Sequence, residues 1–169
     1  MKKRLPSLRL ATLAIGAWLA VSPAQAARLE TVAGGYSPGM IVIRTHERRL
    51  FLTLGAGEAV SYPVAVGLPG KQWRGYAHVD GKYVRPAWSP PAEVKRDKPW
   101  MPAVIPPGPR NPMGERALTL DRGEYAIHGT NMPNSIGKFA SYGCIRMFNA
   151  DIIDLFDRVA VGTVVLVEP

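Results

Sequence analysis

Two residues of this chain have the types and spacing for covalent chemistry. Cys144, the only cysteine, lies in Ser141-Tyr142-Gly143-Cys144-Ile145-Arg146, sixteen residues after the histidine of Ile127-His128-Gly129-Thr130. A free thiol is mostly protonated at neutral pH. A positioned imidazole can take its proton, leaving a thiolate that attacks a carbonyl carbon. His128 is the candidate base. No acid adjoins it in sequence, so a backbone carbonyl is the simplest orienter, and Gly129 can supply one. Gly143 permits a tight turn before the nucleophile. The backbone amides of Tyr142, Gly143 and Cys144 could then converge on a developing oxyanion. If the stretch after Cys144 is extended, Cys144 and Arg146 share one face while Ile145 and Met147 face a core. Arg146 would support a thiolate or grip a substrate carboxylate with paired donors.

The competing reading is structural, since a lone cysteine often packs as a small hydrophobe. The combination of thiol, imidazole and flanking glycines in an exported chain favours catalysis. His46 and His78 have no comparable context and are read as surface or turn residues. One cysteine and three histidines without close ligand spacing do not make a zinc site. No glycine-rich phosphate loop and no Gly-x-Ser-x-Gly elbow is present. No metal or cofactor is expected.

Short apolar runs separated by turn residues must position these groups, and they predict a mainly β domain. Strands are expected over 40–44, 49–54 and 59–66. A hairpin is expected from 116–120 to 124–128, with His128 at the end of its second strand on the face opposite Ile127. After Met147 a helix is predicted, with Asn149 as N-cap and Ile152, Ile153, Leu155, Phe156 and Val159 as its core stripe. A closing strand follows over 163–167. Between residues 85 and 114 nine prolines recur. Proline lacks an amide donor and resists a central strand, so this segment is read as a long ordered loop. Trp88, Trp100 and Met101 are its expected apolar anchors. It would either wall a substrate groove or cover a sheet edge.

The N-terminus carries Lys2, Lys3, Arg4 and Arg9, an apolar run over 10–21 and the cleavage signature Ala24-Gln25-Ala26. Residues 1–26 therefore read as a secretory signal peptide, 27–39 as a short N-terminal segment and 40–169 as one domain. Export puts the protein in the periplasm or cell envelope, without stable membrane insertion after cleavage. Loss of the four leader cations lowers the net charge from +8 to +4. Scattered bases of this number give no nucleic-acid footprint.

The block Ile127-His128-Gly129-Thr130-Asn131 followed by Ser141-Tyr142-Gly143-Cys144-Ile145-Arg146-Met147 resembles the L,D-transpeptidase catalytic domain family, the YkuD-type fold. The likeness extends upstream to Asn111-Pro112-Met113-Gly114 and downstream to Val167. It implies a barrel-like β-sandwich carrying one helix before the last strand. It implies that Cys144 attacks a peptidoglycan tetrapeptide stem between its third residue, a diamino acid, and the terminal D-alanine. His128 would be the base, oriented by the Gly129 carbonyl, and Arg146 would belong to the substrate pocket with Ser141. The acyl group would pass to an amine on a neighbouring stem, giving a 3–3 cross-link. Water or an envelope lipoprotein is the alternative acceptor, and a non-catalytic peptidoglycan-binding role is the alternative of another class. Two departures stand out. Tyr142 replaces the histidine that many members carry before the Gly-Cys pair. Gly70-Lys71-Gln72-Trp73-Arg74-Gly75 replaces a Thr-Pro-rich turn.

Overall fold

The computed structural model describes residues 27–169. The predicted leader, 1–26, lies outside them. The chain is mainly β, as expected. The strands are β1 Arg28–Thr31, β2 Ile41–Arg44, β3 Arg49–Gly55, β4 Glu58–Pro63, β5 Val66–Gly67, β6 Gly75–Val84, β7 Arg116–Leu120, β8 Ala126–His128, β9 Phe139–Ser141, β10 Ile145–Arg146 and β11 Val164–Glu168. Among the described residues two α-helices join them, α1 Ala92–Asp97 and α2 Asn149–Arg158, with a 3₁₀ turn over Pro133–Ser135.

Nine strands form one mixed sheet in the order β1-β4-β3-β2-β11-β6-β7-β8-β10. The β2–β11 and β8–β10 pairs are parallel, and the others are antiparallel. β5 and β9 pair separately, in parallel. One further bridge closes a long circuit. Ala65, just past β4, exchanges both backbone hydrogen bonds with Arg146 of β10, at 2.8 and 2.9 Å.

The main core holds Ile41, Ile43, Leu50 and Tyr62 from the early strands, Leu118, Ile127 and Ile145 from the later ones, and Ile152 and Leu155 from α2. The predicted helix stripe supplies that packing, with Phe156 and Ile153 at its margin. Burying such side chains contributes about 1.5–3 kcal/mol each.

Several expectations need correction. The run over 59–66 is not one strand. Pro63 ends the pairing with β3, and the buried Val64 and Ala65 turn the chain toward β10 and β9. β6, the longest strand among the described residues, has no clear signal in the sequence. Tyr76, His78 and Asp80 leave its outer face polar and exposed, and a bulge between Val79 and Gly81 breaks its alternation. The segment 27–39 is tied to the sheet edge through β1. Asn149 does not cap α2 through its side chain. It is the first helical residue, and its carboxamide is spent elsewhere.

The proline-rich segment is ordered, but it contains a helix, α1, anchored by Val94. Trp88 and Ile105 exchange backbone hydrogen bonds across its base, at 2.9 and 2.8 Å. Asn111 gathers its two limbs, donating Nδ2–H to the carbonyls of Pro86, Ile105 and Pro106 while its Oδ1 accepts the Met113 amide. Trp88 packs inward, whereas Trp100 is 76 % exposed and anchors nothing. Trp88 and Met113 lie on Ala117, Ala126 and Cys144. The segment therefore covers a sheet face beside the cysteine.

Candidate active site

β8 and β10 lie side by side in parallel register, Ile127 opposite Ile145 and His128 opposite Arg146. Parallel partners point to the same side, and neighbours along a strand alternate. Ile127 and Ile145 therefore enter the main core. His128 and Arg146 emerge on the other face. Cys144, two residues before Arg146, packs on Ala126, two residues before His128. One strand pair thus brings Cys144, Arg146 and His128 to one side of the sheet.

His128 is only 4 % exposed. Its Nδ1 lies 2.6 Å from the Gly129 carbonyl oxygen. A carbonyl can only accept, so Nδ1 carries the proton and Nε2 keeps its lone pair. Burial pulls the imidazole from its ordinary 6.5 down to about 4, and the nearby Arg146 charge pushes the same way. The carbonyls of Gly129 and Pro112 oppose that shift. Burial pushes the Cys144 thiol up, against a backbone hydrogen bond from Ala126 and the Arg146 charge. At neutral pH both partners are consequently uncharged at rest. The sulfur also meets the Glu124 carbonyl, at 3.9 Å.

Arg146 is half-buried, and burial lowers its affinity for its proton while the Cys144 sulfur raises it. Among the described residues no carboxylate pairs with it. A guanidinium left unpaired beside a thiol is suited to an incoming carboxylate or a transient negative charge.

The loop before Cys144 is tightly held. Ser141 Oγ accepts the Gly143 amide at 3.1 Å and donates to the Cys144 carbonyl at 2.6 Å. Ser141 is buried. Gly143 has φ +116°, where a Cβ would lie 2.4 Å from the Tyr125 ring, so only glycine fits. Of the three amides expected to face an oxyanion, Gly143 already has its acceptor. Those of Tyr142 and Cys144 have none among the described residues. The Tyr142 hydroxyl donates to Asp97 of α1 at 2.8 Å. Lys71 lies 5.8 Å over the Tyr142 ring and pairs with Glu93 of α1. The two contacts moor the proline-rich segment to the loop that carries the cysteine.

Sequence reasoning missed several supports. Pro112 turns its carbonyl to His128. Asn149 Oδ1 accepts the amides of Glu115 and Thr130, and its Nδ2–H donates to the Thr130 carbonyl. A Cβ on Gly114 or Gly129 would lie 2.2 Å from that Oδ1, so both glycines admit the carboxamide. Trp73 and Tyr125 stack behind Gly143. The segment Asn111-Pro112-Met113-Gly114 is marked in the sequence only by resemblance, and Trp73 only as part of a departure from it. Among the described residues no cluster of His, Cys, Asp and Glu could hold a metal ion.

Residues 38–167 match the sequence profile of the YkuD L,D-transpeptidase catalytic domain. The chain belongs to that family. Curated relatives include the probable L,D-transpeptidase YbiS of Escherichia coli K12, 41 % identical over 133 residues, covering 73 % of this chain and 42 % of the relative. The probable L,D-transpeptidase ErfK/SrfK of Salmonella typhimurium is 38 % identical over 152 residues, covering 85 % and 47 %. The chain thus spans under half the length of these curated relatives. The solved L,D-transpeptidase from Mycobacterium smegmatis shares the fold, with a TM-score of 0.62 at 17 % identity, over 77 % of this chain and 58 % of that one. A Brucella melitensis structure named as a probable carnitine operon oxidoreductase also matches, with a TM-score of 0.57 at 38 % identity, over 85 % and 93 %. The YkuD-type domain described above is the frame these chains share.

Proposed function

We propose that this YkuD-type domain is a cysteine acyltransferase acting on peptidoglycan stem peptides, with Cys144 as nucleophile and His128 as base. The observation that carries the reading is the common side of the β8–β10 pair, on which Cys144, just before β10, lies with Arg146 and a neutral, carbonyl-oriented His128. The Cys144 sulfur attacks the carbonyl carbon linking the diamino acid to terminal D-alanine, and His128 Nε2 takes the thiol proton. The tetrahedral oxyanion meets the amides of Cys144 and Tyr142. As it collapses, the C–N bond breaks and His128 returns its proton to the leaving amine of D-alanine. A thioester on Cys144 remains. An amine of a second stem attacks it, yields its proton to His128 and releases the thiol, leaving a 3–3 cross-link.

A neutral resting pair means that no thiolate is stored before substrate arrives, unlike enzymes that hold one at rest. Arg146 grips a stem carboxylate and steadies the transient charge on sulfur. Ser141 acts by holding the loop. The proline-rich segment walls the groove, with Tyr142 tying α1 to it where other members carry histidine. The work takes place in the periplasm after removal of the leader. No helix among the described residues is long and apolar enough to cross a membrane.

The test is incubation of the mature chain with disaccharide tetrapeptide. The expected result is D-alanine release and a thioester-linked mass on Cys144, both lost in Cys144→Ala. Turnover that survives in that variant would discard the mechanism. Adding an amine acceptor should yield the cross-linked product. Hydrolysis alone with every stem amine tried would remove the transfer step.

A further inference from the structure

We infer that Trp73 is a positioning residue that aims the Cys144 amide at the oxyanion of the acyl-transfer step, an inference that rests on the reading above. Trp73 lies between β5 and β6 and is 8 % exposed. Its indole Nε1–H donates to the Gly143 carbonyl at 3.1 Å. Its ring stacks on Tyr125, with centroids 5.4 Å apart and planes 6° from parallel. The Arg122 guanidinium lies 5.1 Å from the same ring. Tyr125 in turn sits flush on the Gly143 Cα, since a Cβ there would be 2.4 Å from its ring.

The consequence follows from peptide geometry. The Gly143 carbonyl and the Cys144 N–H belong to one planar unit, and in a trans peptide they point in opposite directions. Drawing the carbonyl toward Trp73 therefore turns the Cys144 N–H away from Trp73, where it meets no acceptor among the described residues. Ser141 fixes the flanking groups, taking the Gly143 amide and holding the Cys144 carbonyl. Without the indole N–H, the Gly143 carbonyl loses its anchor and this peptide plane is free to rotate. Gly143, with no side chain to resist, would allow that rotation more readily than another residue. An oxyanion donor contributes only if it is already aimed before charge develops. Phenylalanine at 73 would keep the stack and lose the donor, leaving a buried carbonyl unpaired.

The experiment compares two reactions of the same sulfur. Iodoacetamide alkylates Cys144 by displacing iodide from a saturated carbon, with no oxyanion. Acylation by disaccharide tetrapeptide, or by imipenem, which binds a relative of this fold, passes through one. Trp73→Phe should slow acylation about 10- to 100-fold and leave alkylation within about twofold. Benzothienylalanine at 73, isosteric with tryptophan but with sulfur in place of N–H, should reproduce the split without disturbing the packing. Trp73→His, which retains a ring N–H, should recover part of the acylation rate. Acylation within twofold of wild type in the benzothienyl protein would overturn the inference, and so would a parallel fall in both reactions. If the wild-type chain is alkylated but never acylated, the acyl-transfer reading itself has failed.

Discussion

The two faces of the β8–β10 pair carry opposite tasks. On one, Ile127 and Ile145 are at most 2 % exposed and pack into the main core with α2. On the other, one residue along, His128, Cys144 and Arg146 gather under the proline-rich segment. The inner face is apolar and satisfied. The outer face holds a buried imidazole, a thiol and a guanidinium that has no carboxylate partner among the described residues. Strand alternation lets 127–128 on one strand and 144–146 on the other serve both, so the packing that stabilises the domain also fixes the aim of the candidate site residues.

That contrast can be broken from either side. The largest effect is expected from His128→Gln, which removes the proposed base and spares the core. Acylation of Cys144 should fall about 10²- to 10⁴-fold with the far-ultraviolet spectrum unchanged, as followed by intact mass. Ile145→Ala attacks the other face. It should cost about 2–5 kcal/mol of stability in urea unfolding. Its folded fraction should still alkylate, and a folded but unreactive variant would show that the faces are not separable.

Acid sharpens the comparison. With its folded pKa lowered to about 4, His128 is a neutral imidazole throughout the neutral range. The acylation rate should have no acid limb near 6.5 and should fall only as pH approaches about 4. A limb near 6.5 would place the imidazole in water. Linkage gives the matching stability term. Between about 4 and 6.5 the unfolded chain binds the extra proton. The His128 contribution is therefore complete above 6.5 and is lost as pH falls through 4, about 3 kcal/mol in all. His128→Gln should flatten that part of the stability–pH curve.

The smallest effect concerns a group on neither face. Asp151, in the first turn of α2, is buried with Oδ2 unpartnered among the described residues. Burial, then the charge of Asp154, raises its carboxyl to about 6. A raised carboxyl favours the fold below its unfolded value of 3.8, and that advantage is lost as pH rises through about 6. Asp151→Asn should therefore gain roughly 1 kcal/mol at pH 8, after the lost helix-dipole contact, and nothing at pH 3. Melting at the two pH values checks the sign.

The candidate site was legible to different depths. Cys144, His128, Gly129 and Arg146 could be picked out because their chemistry is carried by residue type and their common face by period-two alternation. Their supports could not. Asn149 looks like a helix cap in sequence, and only the approach of α2 to Gly114 and Gly129 turns its carboxamide into a clamp. Trp100 and Trp88 look alike in a proline-rich run, yet one is exposed and the other packs beside the cysteine. β6 escaped notice because its outer face is polar and Gly81 interrupts it, although it joins β7 to β11 in the sheet.

The sequence by itself determined which thiol and imidazole are the candidates, the mainly β character, the α2 stripe and the sides taken by Ile145 and Arg146, because each follows from local chemistry or a short repeat. The tertiary structure alone decided that Trp73 meets Gly143, seventy residues away, that Asp97 meets Tyr142, and that Pro112 meets His128. Those partners are set by which strands pair and where a long segment folds back. Such choices depend on burial summed over the whole domain, and no local pattern records them.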